Sequence, residues 1–498
     1  VGGSFSPGSK AEKELEMIAS SPSNLIKVKS YDDLQSIFEG LKSKIYNIEG
    51  VHSSSNESSF ELEMSQAGFS ALITEDAITF GAVGAFDWSG GLVEFRGNTS
   101  TFINVSKAQS DMKNAYLGYS VKAAVRGNKT RYVVGAPRYQ HRGRVIVFER
   151  GLNGSRWEPR QQIPGEQIGS YFGSELCTVD LTGDGETDLL LIGAPLYHDH
   201  GIGGIVIVCT MSPEGTFACP GTLRGDEGND LGRFGSSIAA LRDLNGDGLR
   251  DVAVGAPLED EHRGSVYIYH GQRSGVSARY SQRIAGAQVS RGLRYFGQSL
   301  HGSMDMTRDG LTDIVVGALD KAVLLRSRPV MNVTANISMS PAEIPLWKFA
   351  CSDSSPAWNR DLNNLTVCFT VAMATARNQD LRANLTYRLE LDSSGLKRRV
   401  ALALTERPFT RHLTVTEGVH CQQHQIQLLA CVEDYLSPVE LKLAFTLTPL
   451  PYAGAKDPQP TLNEECVKTL TEQLPLEKDC GDDDQCTDHL NVTFHLGG

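Results

Sequence analysis

Three nine-residue segments repeat one arrangement of oxygen-bearing side chains. They are Asp180-x-Thr182-x-Asp184-Gly185-x-x-Asp188, Asp243-x-Asn245-x-Asp247-Gly248-x-x-Asp251 and Asp305-x-Thr307-x-Asp309-Gly310-x-x-Asp313. Oxygens stand at positions 1, 3, 5 and 9, and a glycine at position 6 permits a sharp turn. Position 7 (Glu186, Leu249, Leu311) is placed to offer its backbone carbonyl. Ca²⁺ is a hard cation that takes six to eight oxygens, and this schedule is a shortened EF-hand loop. One such segment could be an ordinary Asp-Gly turn. Three of them, each followed by an apolar run and Gly-Ala, are read as Ca²⁺ loops.

The elements that must hold these loops recur at a fixed interval. Phe172-Gly173, Phe234-Gly235 and Phe296-Gly297 are each 62 residues apart. After the loops come LLLIGAP, VAVGAP and IVVGAL, ending at Pro195, Pro257 and Leu319. Tyr116-Leu117-Gly118-Tyr119 with VVGAP, and GAVGAF at 81–86, repeat the pattern without the acidic loop. A fixed period means stacked supersecondary units. Short Val/Ile/Leu runs between Gly, Pro and Asp turns are strands. About four strands per repeat make a β-propeller blade, and five blades are expected between residues 51 and 328.

Composition limits the class. At 498 residues the chain should hold two to four domains. Its net charge of −12 argues against nucleic acid as a partner, which needs a basic face. Asn-x-Ser/Thr occurs at Asn56, Asn98, Asn104, Asn128, Asn153, Asn332, Asn336, Asn364, Asn384 and Asn491, as expected of a secreted or surface glycoprotein. Cysteines fall in close pairs, Cys209/Cys219, Cys421/Cys431 and Cys480/Cys486, without a CxxC. Disulfides are therefore expected rather than zinc, with Cys177 a buried thiol inside a blade. No apolar stretch reaches 18 residues, and no signal peptide is seen, so the sequence reads as part of something larger. No HExxH, GxSxG or Walker motif appears, so no enzyme constellation is present.

The flanking regions differ in texture. Residues 1–50 read as helix–strand–helix, the tail of an α/β domain. Ser9 and Glu12 form a capping box, Leu25–Val28 a strand, and Tyr31, Leu34, Ile37, Phe38, Leu41, Ile45 and Ile48 a helical apolar face. From about 329, alternating runs such as NLTYRLELD and VELKLAFTL predict an all-β sandwich. Residues 480–488 form an acidic cysteine knuckle. Arg224-Gly225-Asp226 is read as a turn, and His198-Asp199-His200 as a solvated loop lacking a third zinc ligand.

This succession resembles the integrin α subunits of the I-domain-containing leukocyte type. GAFDWSGG (84–91), GAPRYQH (135–141), SQRIAG (281–286) and SRPV (327–330) carry the likeness, with GSYFGSELC, LLLIGAPL, VAVGAPLE and SPAEIP. The resemblance implies a mainly β fold. Residues 1–50 would be the C-terminal remnant of an I (von Willebrand A-type) domain. Residues 51–328 would be propeller blades three to seven (FG-GAP repeats), 329–475 an Ig-like thigh sandwich, and 476–498 the genu and start of calf-1. It implies a cell-surface adhesion receptor chain, the extracellular part of a single-pass membrane protein. Its partners would be a leukocyte beta-2-type integrin β subunit and, through the I domain, ligands of the immunoglobulin superfamily. Ca²⁺ would occupy the three loops, and a further ion the bend near Asp482–Asp484. Mg²⁺ would belong only to the β subunit and to an I-domain DxSxS loop that this sequence does not contain.

The family also implies roles for single residues. Glu49, in Ile45-Tyr-Asn-Ile48-Glu49-Gly50, matches an internal ligand for the β subunit's metal, with Ser53–Ser59 as its loose linker. On residue type alone it would be a solvated helix end. Loops carrying Trp88, Tyr139 and Tyr197 are candidates for the β-subunit face, with blade packing as the plain alternative. Four sandwich cysteines allow three pairings, of which Cys368–Cys421 nested within Cys351–Cys431 is the expected one. Cys480 would pair with Cys486. The competing classes are a secreted calcium-binding enzyme of the glycan-specific phospholipase D type and a non-adhesive propeller scaffold.

Overall fold

The computed structural model describes residues 64–477, with Lys13, Met17 and Leu62. Excepted are 106–110, 152–155, 346–359, 376–380, 393–397, 403–408, 429–436, 449 and 451–458. The expected I-domain remnant, Glu49, the linker and the cysteine knuckle therefore lie outside the described residues.

Five antiparallel sheets follow one another. The first is β1 (Ala67–Ile73), β2 (Ile78–Ala82), β3 (Leu92–Arg96) and β4 (Thr99–Ile103). The second is β5 (Ser120–Arg126), β6 (Lys129–Ala136), β7 (Arg144–Arg150) and β8 (Trp157–Pro164). The third is β9 (Glu175–Val179), β10 (Leu189–Asp199), β11 (Ile202–Met211) and β12 (Phe217–Leu223). The fourth joins β13 (Ser237–Ala240), β14 (Val252–Ala256) and β15 (Ser265–Tyr269) to β18 (Gln282–Ala285), after a hairpin of β16 (Gly271–Gln272) and β17 (Gly275–Val276). The fifth has three strands, β19 (Ser299–Met304), β20 (Asp313–Ala318) and β21 (Lys321–Leu325). Strand direction reverses at tight turns. Gly127 and Asn128 both take positive φ, as the two central residues of a type I′ hairpin must.

The repeated glycines are explained by the joints between successive sheets. A Cβ on Gly81, Gly135, Gly193 or Gly255 would overlap the carbonyl oxygen of Gly118, Gly173, Gly235 or Gly297 respectively. In each pair the second glycine stands, in sequence, two residues before the next strand. Its amide in turn bonds the Gly-Ala glycine of its own sheet: Gly118 to Gly135 at 3.1 Å, Gly173 to Gly193 at 2.9 Å and Gly297 to Gly317 at 3.1 Å. Serines complete the joint. The hydroxyls of Ser70, Ser120 and Ser237 donate to the carbonyls of Gly118, Gly173 and Gly297, each at 2.7 Å. In the third sheet Glu175 takes the serine's place, two residues after Gly173. Burial pushes its carboxyl up to about 7, against the field of Lys122.

A sandwich follows. One sheet runs β25-β27-β23-β22-β29 and the other β26-β24-β28-β30. The strands are β22 (Val330–Ser340), β23 (Arg360–Met373), β24 (Ala383–Leu391), β25 (Val400–Ala401), β26 (Phe409–Val415), β27 (Gly418–Leu428), β28 (Val439–Thr448), β29 (Thr461–Leu462) and β30 (Thr469–Leu474). Alternation fixes which face is inside. Leu385, Tyr387 and Leu389 point inward from β24 and meet Leu441, Leu443 and Phe445 of β28 in one apolar core.

Candidate metal loops and interface residues

The three acidic loops share one hydrogen-bond pattern. The first aspartate (Asp180, Asp243, Asp305) accepts the amide of position 4, from Gly183 at 2.7 Å, Gly246 at 2.6 Å and Arg308 at 2.6 Å. Its other oxygen accepts the position-6 glycine amide, at 3.0, 2.7 and 2.9 Å. The position-5 aspartate accepts from position 7: Asp184 from Glu186 at 2.8 Å, Asp247 from Leu249 at 2.7 Å and Asp309 from Leu311 at 3.0 Å. The last aspartate closes the loop on position 2: Asp188 on Leu181 at 2.8 Å, Asp251 on Leu244 at 2.8 Å and Asp313 on Met306 at 2.9 Å. Position 4 is left-handed in all three, with φ of 78° at Gly183, 83° at Gly246 and 60° at Arg308. Only the position-6 glycine was expected from the sequence. A second Gly in two of the loops was the available signal, and Arg308 hid it in the third.

Among the described residues no three acidic or imidazole side chains already converge on one point. The first and fifth positions are turned onto loop amides instead. The donor set nevertheless fits a hard cation, because each loop offers oxygen donors. The third loop adds a sharper sign. Thr307 Oγ1 and Asp313 Oδ1 are buried without a hydrogen-bond partner, and Asp313 is 1% exposed. A buried carboxylate oxygen left so costs free energy that a bound cation would offset. Asp180, Thr182, Asp184, Asp188 and the Glu186 carbonyl would hold an ion in the first loop. Asp243, Asn245, Asp247, Asp251 and the Leu249 carbonyl would do so in the second. Asp305, Thr307, Asp309, Asp313 and the Leu311 carbonyl would serve the third.

Basic side chains approach these loops to different degrees. Arg326 Nη2 lies 2.9 Å from Asp309 Oδ2. Burial acts to raise the Asp309 carboxyl, but hydrogen bonds from Arg326 and the Leu311 amide bring it below the ordinary range. Arg250 Nη2 is 3.7 Å from Asp180 Oδ2. His270 Nδ1 is 3.3 Å from Asp251 Oδ1.

Two disulfides are described, Cys209–Cys219 and Cys368–Cys421. The second joins directly opposed residues of β23 and β27. Cys177 is a buried thiol whose Sγ is 3.8 Å from the Thr178 carbonyl, and Cys466 Sγ accepts the Val333 amide at 3.4 Å. Cys351, Cys431, Cys480 and Cys486 are outside the described residues. The asparagines of the described sequons reach the surface: Asn98, Asn128, Asn332, Asn336 and Asn364 are exposed, and Asn104 and Asn384 half-buried.

Comparison with known proteins decides the family. The integrin alpha Ig-like domain 1 model matches residues 327–479, and the FG-GAP repeat model matches 172–209 and 234–269. Integrin alpha-X of Mus musculus is 43% identical over 491 residues, 97% of this chain and 42% of its own length. Integrin alpha-D of Homo sapiens is 42% identical over 506 residues, 100% of this chain and 43% of its own. Integrin alpha-M of Mus musculus is 41% identical over 509 residues, 100% of this chain and 44% of its own. The chain belongs to the integrin α family. It spans about two fifths of the length of these integrin relatives, and it groups with their leukocyte members.

Within this integrin chain the three aromatic interface candidates fare differently. Tyr139 is 4% exposed, its hydroxyl bonded to Asp111 and its ring under the Arg144 guanidinium at 3.5 Å. Its expected place on a partner face is therefore corrected: the ring is core. Trp88 is half-buried and packs on Tyr116, with centroids 5.3 Å apart. Tyr197 is half-buried against the third sheet's core.

Other aromatics form a more open surface that sequence reading missed. Phe69, 49% exposed, packs at a tilt against Tyr119 at 4.8 Å, and Tyr119 meets Tyr171 edge-on at 5.3 Å. Tyr116, Tyr171 and Tyr295 each precede a Leu-Gly or Phe-Gly pair and each takes a left-handed φ of 55–60°. Phe86, Asp87 and Trp88 are left-handed too, with φ of 53–63°, and so are Asp260, Glu261 and His262, with φ of 49–68°. For non-glycine residues this conformation is costly and concentrates at functional surfaces. The tyrosine before three of the repeated pairs was the readable signal; Arg233, with φ of 54°, holds the same place before Phe234-Gly235.

Proposed function

We propose that this chain is the propeller-and-thigh part of a leukocyte-type integrin α subunit, an adhesion receptor of the cell surface. The carrying observation is the same hydrogen-bonded acidic loop, built three times, on a chain similar along its length to leukocyte integrin α chains. In this reading residues 51–328 supply blades three to seven, 329–475 the thigh, and 476–498 the genu. GSYFGSELC and SPAEIP favour the alpha-L branch. The three loops bind Ca²⁺ and brace their blades; they perform no catalysis.

Exposed apolar faces support further blades. Ile73, Ile78 and Phe95, 77%, 43% and 43% exposed, are paired neighbours on one face of the first sheet. Such a face is ordinarily covered. Pairing with a beta-2-type β subunit would use the Trp88/Tyr116 and Phe69/Tyr119/Tyr171 surfaces, where half-exposed rings suit an interface core. Ligands of the immunoglobulin superfamily would be taken by a Mg²⁺-bearing I domain. Glu49 would then serve as the internal ligand that the β subunit's metal captures. Capture shifts the receptor only if it favours the displaced state.

The test uses the complete receptor with its β subunit. Asp247→Ala should lower bound Ca²⁺ by one ion and reduce thermal stability in calcium. Equal melting with and without calcium, in wild type and variant alike, would refute the bracing role. Glu49→Ala should leave surface expression normal and abolish cell adhesion. Normal adhesion in Mg²⁺ would return Glu49 to an ordinary helix-end carboxylate.

A further inference from the structure

The three loops are alike in backbone but unequal in electrostatic surroundings, and the third is the outlier. Its position-5 carboxylate is already engaged, with Arg326 Nη2 2.9 Å from Asp309 Oδ2. In the first loop Arg250 stands 3.7 Å from Asp180, beyond a hydrogen bond. In the second, no lysine or arginine among the described residues is ion-paired with Asp243 or Asp247. Yet the third loop also holds the two orphaned oxygens, Thr307 Oγ1 and Asp313 Oδ1. Asp313 Oδ2 receives the amides of Met306 and Thr307, so this carboxylate faces into the loop.

We propose that Arg326 is a tethered cation that competes with Ca²⁺ for the third loop, so that this loop fills last of the three. The proposal rests on the calcium reading above. A guanidinium directed at one carboxylate substitutes only in part for a metal ion. It neutralises Asp309 but leaves Thr307 Oγ1 and Asp313 Oδ1 unserved, whereas Ca²⁺ gathers six to eight oxygens. Two cations cannot share the Asp309 oxygens without strong repulsion at such short range. Calcium must therefore displace Arg326. The arginine has somewhere to go, because its side chain is 38% exposed. It sits one residue after β21, so its tether is short and its local concentration high. At low calcium the arginine holds the loop closed; at high calcium it swings out.

The experiment uses the complete α chain paired with its β subunit. Calcium is titrated calorimetrically, and thermal melting is followed in EDTA and in saturating calcium. Arg326→Gln should shift the weakest calcium step to ~3–10-fold lower concentration, the order expected for removing one partly screened charge. It should lower the melting temperature in EDTA and leave it unchanged or raised in calcium. Arg326→Lys, which keeps the charge, should titrate close to wild type. Asp309→Asn and Asp313→Asn should each remove one bound calcium. If neither changes the stoichiometry, the third loop is not a calcium site and the proposal falls with that reading. If the stoichiometry drops but Arg326→Gln leaves the titration in place, or destabilises equally in EDTA and calcium, the loop binds calcium and the competition alone is refuted.

Discussion

Gly135→Ala is expected to destabilise the chain by ~3 kcal/mol, with poor secretion as the visible result. Gly135 lies near the end of β6 and its φ is ordinary, so backbone strain is not the reason. The added methyl would overlap the carbonyl oxygen of Gly173, in the segment leading to the next sheet. Neither side can yield by rotating a side chain, because the obstacle is backbone. That carbonyl is also fixed by the Ser120 hydroxyl at 2.7 Å. Relief requires the two sheets to part, which opens the apolar core beneath them. That core includes Val133, Val145 and Leu176, all fully buried. Gly151→Ala is the control. A Cβ there meets the Glu158 carboxylate end at 3.2 Å, which can swing away, and the Arg156 carbonyl oxygen at 3.5 Å, an ordinary contact. Chemical unfolding in saturating calcium should separate the two by at least ~2 kcal/mol. Equal losses would mean that the glycine joint does not set the spacing of the sheets.

Arg283→Met should cost ~3–5 kcal/mol, because it strands a buried carboxylate. Glu259 is 2% exposed and accepts from Tyr267 at 2.8 Å and from Arg283 Nη2 at 2.8 Å. Arg283 also bonds Asp260 at 2.8 Å and so fixes the left-handed turn that begins there. Burial raises the Glu259 carboxyl even with these partners opposing it. Without Arg283 it rises further above its unfolded value. The folded form then binds the extra proton, so stability falls as pH rises from the unfolded value toward the folded one. The deficit of the variant should therefore be larger at pH 8 than at pH 5. Adding Glu259→Gln should recover part of it. A deficit that is the same at both pH values and untouched by the second change would point to lost packing rather than an unpaired charge.

What could be read in advance was local. The loop schedule lies within nine residues, and the strands of the sandwich alternate visibly, as in Leu385, Tyr387 and Leu389. What was hidden depends on residues brought together from a distance. Tyr139 looked like a surface aromatic because nothing near it announces Asp111 as its partner. Arg326 is 17 residues from Asp309, and only the turn into and along the last hairpin brings them together. The pairing of Cys368 with Cys421 was the one expected, although what sets it is strand register, which four cysteines alone cannot specify. The left-handed residues were spelled out before the repeated Leu-Gly and Phe-Gly pairs, as Tyr116, Tyr171, Arg233 and Tyr295, but their conformation is not a property that residue type suggests.

The glycine–serine joint has a consequence for how such an array can grow. Each joint takes a Gly-Ala glycine and a serine from one sheet and a carbonyl from the sheet after it, with the same parts in the same order. A stretch one period long, cut anywhere, thus carries the pieces of one whole joint. Copying or deleting that stretch by unequal recombination leaves every surviving neighbour with a matching seat, and no new interface has to be invented. Lineages could gain or lose blades by whole steps while fractional steps would fail at once. Glu175 is the exception: a carboxyl occupies the seat that a hydroxyl fills in the other joints, and the segment bearing it could not be exchanged with its siblings without consequence.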